Sequence, residues 1–349
     1  MNYVNEFKIL LKLHRQSKTA AWRKRNRNPK TPEPLYPLAI EMTYAKAIGA
    51  LQRRFVDLVY ARLGDRLARW TRQAKGDSVR LDAFPDEFDA FLKELEQEIL
   101  ATYGVSLAPA FASTFVPTTI PSIEGVALSS GNVGKILEHT ATKIFGFEDM
   151  QWRKQMLAVT GQEFQMGAAP WWNAMKAAWE DTNYRLIKSL SQEYVQKLNT
   201  LILTGVQSGW TEEEMVSQIR TLSDRITGFR ARLIARDQVG KLNSALTKAQ
   251  YEYTGIKTYM WNTARDERVR GNPGGIYPKA VPSHWIMDSL ICRWDDPTVY
   301  SDDVGATWKK RTANMPQVAP GIEICCRCLP SPVWVEIIDE VDKEIEEGR

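Results

Sequence analysis

From Thr211 onward the apolar residues recur at alternating steps of four and three: Met215, Ile219, Leu222, Ile226, Phe229 and Leu233. That spacing lines up all six on one face of a helix and predicts packing against a core or a partner helix. Thr211 with Glu214 three residues on reads as a capping box, each side chain satisfying an orphan backbone N–H. Gly228 stands where the run can divide into two helices. Helical patterning continues over Ala231–Tyr253, and Gly255 fits a C-terminal cap. Upstream, Ile48, Leu51, Phe55, Leu58 and Leu63 recur at helical steps within 40–70. Phe88–Tyr103 after the Pro85 breaker and Val133–Ile144 add further helices.

The character changes after Gly255. Ile256–Thr263 is rich in β-branched and aromatic residues and reads as a strand. Residues 264–332 are dense in proline and glycine, Pro332–Ile338 reads as a closing strand, and acidic residues end the chain. The expected fold is therefore mainly α: a long helical body with a small C-terminal α+β unit. The divisions are a basic N-terminal helix and arm (1–34), a helical region (35–103) and a Pro-, Ser- and Gly-rich loop (104–134). The helical body (135–255), the α+β unit (256–338) and an acidic tail (339–349) follow. With 349 residues, 44% of them hydrophobic, the chain can bury a real core, which excludes wholesale disorder. No stretch approaches the roughly 18 uncharged apolar residues of a membrane helix. Phe7–Leu13 is broken by Lys8 and Lys12 and lacks a signal-peptide layout, so a soluble, intracellularly made protein is expected.

The formal net charge of +4 hides an asymmetry. Residues 1–30 carry nine Lys and Arg against Glu6 alone, and 53–80 carry eight against three acids. Residues 82–98 and 336–347 each carry seven acids and one Lys. The basic N-terminal part suits phosphate backbones, other anions or an acidic protein surface, with a solvated helix face as the alternative. Arg23, Lys24, Arg25 and Arg27 beside Trp22 form a candidate DNA contact, gripping backbone and stacking on a base.

All four cysteines lie in the last 60 residues: Cys292, Cys325, Cys326 and Cys328, with His284 the one histidine among them. An extracellular disulfide scaffold would be denser and more widely spread. His284 with the thiolates of Cys292, Cys326 and Cys328 would make a tetrahedral structural zinc set, stapling a region with few apolar residues to bury. In an extended segment alternate side chains share a face, which favours Cys326 and Cys328 over Cys325. Buried free cysteines beside a structural histidine are the alternative. A hydrolytic reading uses Asp266, His284 and Asp288 as metal ligands or base, but no established nuclease or protease spacing accompanies them. Asp266 among Arg265, Arg268 and Arg270 reads instead as a salt-bridged turn. Gly271-Asn272-Pro273-Gly274-Gly275 lacks the Lys-Ser/Thr and helix of a phosphate loop.

The run from about Trp179 to Val335 resembles the phage head morphogenesis, or minor head protein, family, of which the Mu-type F protein is a member. The matching stretches are Asn183-Tyr184-Arg185-Leu186-Ile187-Lys188-Ser189-Leu190, the Gly209 turn before its capped helix, Ala235-Arg236-Asp237-Gln238 and Asn243. More specific are Gly255 followed by Tyr259-Met260-Trp261-Asn262-Thr263-Ala264, Asp266-Glu267-Arg268-Val269-Arg270, His284 with Met287-Asp288, and Cys326-Arg327-Cys328. Two departures stand out. Thirteen residues separate Arg270 from His284 where the family has a few, and Ser289 replaces the usual Gly after Asp288. The resemblance implies a non-enzymatic virion component inside the head near the portal vertex, present in host cytoplasm during assembly. Its implied partners are the portal, a scaffold or the major capsid protein, with non-specific double-stranded DNA contact and no membrane. The implied roles are procapsid assembly, DNA packaging or ejection; a metal-dependent hydrolase acting in head maturation is the alternative.

Overall fold

The computed structural model describes residues 3–76, 84–103, 130–164 and 170–348. It is mainly helical, with a small antiparallel sheet near the C-terminus, as expected. The helices are α1 (Tyr3–Gln16), α2 (Ala20–Arg25), α3 (Leu38–Gly76), α4 (Phe84–Tyr103), α5 (Ser130–Thr160), α6 (Trp172–Gln207), α7 (Glu212–Asp224), α8 (Ala231–Tyr253) and α9 (Val335–Glu346). The strands are β1 (Thr258–Asn262), β2 (Ile291–Arg293), β3 (Val299–Ser301), β4 (Lys309–Lys310) and β5 (Leu329–Pro332). They order as β4-β3-β2-β1-β5, every neighbour antiparallel. No helix among the described residues is long and apolar enough to cross a membrane.

Two compact units form, each from separated stretches of chain. The first gathers Met1–Leu38, Thr142–Met175 and Arg236–Arg349; the second gathers Ala39–Ala141 and Lys176–Ala235. Of the loop expected over 104–134, residues 104–129 lie outside the described residues, while Ser130 already opens α5. The buried Val133, Ile136 and Leu137 draw that helix start forward.

In the second unit, α3 is interrupted at Gly64, whose φ of 39° and ψ of −132° are non-helical. Polar pairs sit in its otherwise apolar core. The Tyr44 hydroxyl donates to Asn183 Oδ1 at 2.8 Å, and Gln52 Nε2 donates to the Ile187 carbonyl at 3.2 Å. Trp70 packs edge-on against Phe88 and Phe91 of α4. The basic 53–80 and acidic 82–98 blocks meet on these helices: Arg66 grips both Glu94 oxygens at 3.0 Å, and Arg62 pairs with Glu98.

In the first unit, α1 lies along α9. The closing strand expected at Pro332–Ile338 ends at Pro332, and Val335 starts a helix that also takes up the acidic tail through Glu346. Trp334, Ile337, Ile338, Val341 and Ile345 step at three and four, and that periodicity outweighs the β-branched composition. Phe7 and Leu11 of α1 are fully buried against this cluster, each contributing roughly 1.5–3 kcal/mol. The acids of α9 then receive the basic arm. Lys8 bonds Glu340 at 2.6 Å, Lys12 reaches Glu344 at 3.5 Å, and Arg27 pairs with Asp339. Arg15 is only 2% exposed; it holds Asp342 through Nε at 2.7 Å and Nη2 at 2.6 Å and donates to the carbonyls of Asn26 and Arg23. The acidic surface that the arm suits is therefore supplied by the chain's own last helix.

Residues 32–35 are held on α5. Gln151 bonds both the N–H and the carbonyl of Leu35, and Gln155 Nε2 donates to the Pro32 carbonyl at 3.3 Å. Gln151 is oriented by Glu148, which accepts from its Nε2 at 3.0 Å. Burial raises the Glu148 carboxyl to about 7, against opposing hydrogen bonds from Thr247 and Gln151. Thr247 Oγ1 lies 2.5 Å from Glu148 and 2.9 Å from the Asn243 carbonyl. The hydroxyl has one proton for two acceptors, so a protonated Glu148 donating to Oγ1 satisfies all three groups.

Because the folded-state value lies above the unfolded one, stability from this group is full below about pH 4.5 and is lost as pH rises through about 7. Glu148→Gln should therefore outlast the wild type in urea at pH 8.5, by up to about 3 kcal/mol, and match it near pH 4. A gap that does not change between those two pH values would refute a titrating Glu148.

Candidate metal centre

His284, Cys326 and Cys328 converge at the C-terminal end of β1. One ligand atom from each lies within 4.8 Å of the others, and all three residues are buried. His284 Nδ1 stands 3.4 Å from Cys326 Sγ and 3.5 Å from Cys328 Sγ. The intervening Arg327 pairs with Asp266, so alternate side chains of the extended Cys326–Cys328 segment divide as expected. Cys292 does not join them. It sits on β2 opposite Tyr259, one cross-strand step back from Trp261, and its thiol approaches the Leu290 carbonyl. Cys325 is also apart, in a left-handed turn with φ 58°, its N–H donating to Asp237 Oδ1 at 3.1 Å.

A chain of polar contacts fixes the imidazole. Glu323 Oε2 is 2.9 Å from Nε2, and Arg270 pairs with that same carboxylate while donating to the Ile324 carbonyl at 2.7 Å. With Nε2 held against Glu323, Nδ1 is the nitrogen that faces the sulfurs. Trp261 meets the ring edge-on, with centroids 5.8 Å apart. Burial works against the His284 charge, but Cys326 and Glu323 outweigh it and raise its pKa. The two thiols behave as one coupled pair. The Cys328 hydrogen bond, then His284, pulls Cys326 down against burial, and its neighbour Cys326 pushes Cys328 up.

The backbone prepares the sulfurs for negative charge. The Gly321 N–H donates to Cys326 Sγ at 3.4 Å. Trp261 Nε1 and the Ala264 N–H both favour the Cys328 thiolate, and that buried indole N–H has no oxygen or nitrogen acceptor among the described residues. One imidazole nitrogen and two sulfurs, with a carboxylate behind the histidine, supply three of the four donors of a tetrahedral zinc site. This His/Cys trio can hold a metal ion, and a dication there would displace the thiol protons.

The remaining motif residues build the walls. Asp288 accepts from Thr263 N at 2.9 Å, Thr263 Oγ1 at 3.0 Å and Arg265 Nε at 3.2 Å, which ties down the turn carrying Ala264. Asp266 caps the Arg268 N–H at 3.0 Å, and the Arg268 side chain is exposed. Both carboxylates are thus spent on the scaffold. Ser289, where the resembled family has a glycine, is left-handed with φ 69°, and its N–H donates to the Trp261 carbonyl. The long spacing from Arg270 to His284 closes on itself. Gly271 lies against Ser283, so the His284 N–H reaches the Arg270 carbonyl at 3.0 Å despite the intervening residues.

Sequence reasoning missed Glu323 and Gly240. Glu323 carries no motif signal; only its position in the turn before the cysteines marks it. Gly240 lets α8 touch the ligand loop: a Cβ there would lie 2.9 Å from the Cys326 carbonyl oxygen. Ser244, one turn on, donates to the Pro320 carbonyl. Of the arm residues, Arg27 and Arg23 are drawn toward Asp339 and Asp342, while Lys24 and Arg25 remain exposed.

Gly240→Ala should lower stability by about 1–3 kcal/mol and loosen metal retention, because the backbone carrying Cys326 must shift. Gly146→Ala, in α5 with open space around its Cβ, should be neutral or stabilising by up to about 1 kcal/mol. Equal melts for the two variants in thermal denaturation would show that the close approach at Gly240 carries no constraint.

Comparison with known proteins finds partial matches in sequence. An uncharacterized protein of Haemophilus influenzae is 34% identical over 151 residues, covering 43% of this chain and 28% of that protein. An uncharacterized protein of Methanocaldococcus jannaschii is 26% identical over 159 residues, covering 46% of this chain and 20% of that protein. The chain thus spans under a third of the length of the curated relatives it matches. No solved structure matches it significantly. Residues 196–330 match the family described as phage Mu protein F like, and over that stretch the chain resembles the phage head morphogenesis proteins to which its motifs pointed.

Proposed function

We propose that this chain is a phage head morphogenesis protein, a non-enzymatic minor component of the virion. The observation that carries the reading is the match over 196–330 together with the interlocking of the motif residues inside it. Trp261, Asp266, Arg270, His284, Asp288, Cys326 and Cys328 all serve one buried centre, either as its donors or as its walls. The non-enzymatic reading is supported by Asp266 and Asp288, the two candidate bases of the hydrolase alternative. Both are committed to Arg327 and to Thr263 with Arg265.

In this reading the protein sits in the head near the portal vertex and meets the portal, scaffold or major capsid protein. It acts in procapsid assembly, DNA packaging or ejection. The exposed Lys24 and Arg25 support a weak, non-specific contact between the arm and double-stranded DNA, a contact that salt would screen. The centre holds one structural zinc through His284, Cys326 and Cys328. The ion would lock the loops between β1 and β5, and the protein's own groups orient the histidine and stabilise the thiolates.

Two measurements test this. Antibody detection in density-purified particles should find the chain at low, fixed ratio to the portal protein, and its absence from particles would overturn the virion assignment. Elemental mass spectrometry of the purified protein should find about one zinc per chain, lost in Cys328→Ser together with about 3 kcal/mol or more of stability. Full stability in chelator, with no metal in the wild type, would leave the cysteines as core thiols.

A further inference from the structure

The apolar stripe read from Thr211 does not run on unbroken. Ile219 and Ile226 are fully buried, but Phe229, three residues further, is 54% exposed, and burial resumes only at Ala231. The step from Ile226 to Ala231 is five residues because Arg225–Arg230 forms a π-helical turn. Each wide turn advances the side chains less than an α turn would, so Phe229 rotates out of the core. The turn lies where α3 passes closest: a Cβ on Gly49 would stand 2.6 Å from the Thr227 carbonyl oxygen.

What the bulge presents is a mixed surface. Arg225, Phe229 and Arg232 follow one another at steps of four and three on the exposed side. The Arg232 guanidinium lies beside Gly228, and the Arg53 guanidinium lies beside Gly49 at the same crossing. Lys46 is two turns before Arg53 on α3, also exposed. None of these four cations has an ion pair or hydrogen bond among the described residues, although most other helix-surface arginines of this unit do, such as Arg62, Arg66, Arg185 and Arg230. The acids of the stretch, Asp57 and Asp224, are exposed and do not neutralise them.

We propose that this face, Arg225, Phe229 and Arg232 with Arg53 and Lys46, binds single-stranded nucleic acid. The cations take consecutive backbone phosphates, and the ring of Phe229 stacks on an unpaired base. An aromatic side chain between unpaired arginines matches that polymer in chemistry. A duplex keeps its bases stacked on one another and offers Phe229 nothing. The site is distinct from the arm and does not depend on the centre around His284.

Fluorescence anisotropy with full-length protein and a labelled oligothymidylate of about 20 nucleotides tests the proposal. Arg225→Ala with Arg232→Ala should weaken binding about tenfold or more and flatten the dependence of log K on log salt by about 1.4. Phe229→Ala should weaken it about fivefold or more with the salt slope unchanged, and should leave binding to a blunt duplex unaltered. Because Phe229 is on the surface, its variant should melt with the wild type, which separates loss of contact from loss of fold. Wild-type affinity in both stripe variants overturns the proposal, as does the absence of oligothymidylate binding at low salt. So does binding lost only in Lys24→Ala with Arg25→Ala, which would place the contact on the arm. Binding of poly-glutamate that depends on the same arginines, without oligothymidylate binding, would replace nucleic acid by an acidic protein.

Discussion

The C-terminal fold depends on one contact: Nδ1 of His284 set against two sulfurs. Its geometry is held at long range. Glu323 and Arg270 fix the ring from behind, Trp261 supports its edge, and Asp266 holds Arg327 so that the cysteines on either side of it face inward. Each of these groups is polar, partly or wholly buried, and worth little alone. Together they have few alternatives, because a half-satisfied network in low dielectric costs more than an apolar core would. A short sheet of two- to five-residue strands could not supply that order by itself.

Charge works in a similar, reciprocal way. The two basic and two acidic blocks of the sequence look like separate features, yet each basic block finds its acid within the same unit. The exposed pairs, such as Lys8 with Glu340, contribute little and are screened by salt. Arg15 differs, since four of the five N–H groups of its buried guanidinium donate to Asp342 and two carbonyls. It therefore fixes how α1 lies along α9, while Phe7 and Leu11 supply most of the energy of that contact.

Much of this was legible in the sequence, for reasons that differ by element. The capped helix from Thr211 and the strand around Tyr259 follow local periodicity and cap chemistry, and both form. Alternation in an extended segment was enough to pair Cys326 with Cys328, but not to exclude Cys292, because registry across β1 and β2 is a tertiary fact. The strand expected after Pro332 failed because Val335, Ile337 and Ile338 satisfy a β composition and a helical period at once. Their neighbour α1, more than 300 residues away, decides between the two. Phe229 misled for a further reason. One added residue per turn in a π-helix resets the phase of everything after it, and Gly228 marks the place without revealing the outcome.

The stretch that resembles phage Mu protein F like proteins, 196–330, does not coincide with a folding unit. The cluster that buries Trp261, Cys326 and Cys328 also includes Phe7 and Leu11 from α1, Trp152 and Met156 from α5, and Trp334 and Val341 beyond the match. A chain cut to the matched residues would expose that surface and remove the Asp342 partner of Arg15 together with Arg15 itself. The motif can therefore be read as the part of the unit whose chemistry is constrained. The surrounding helices need only be amphipathic and complementary in charge, a requirement that many sequences meet. That difference in constraint accounts for recognisable residues concentrated around His284 and for a basic arm whose ion pairs go to α9.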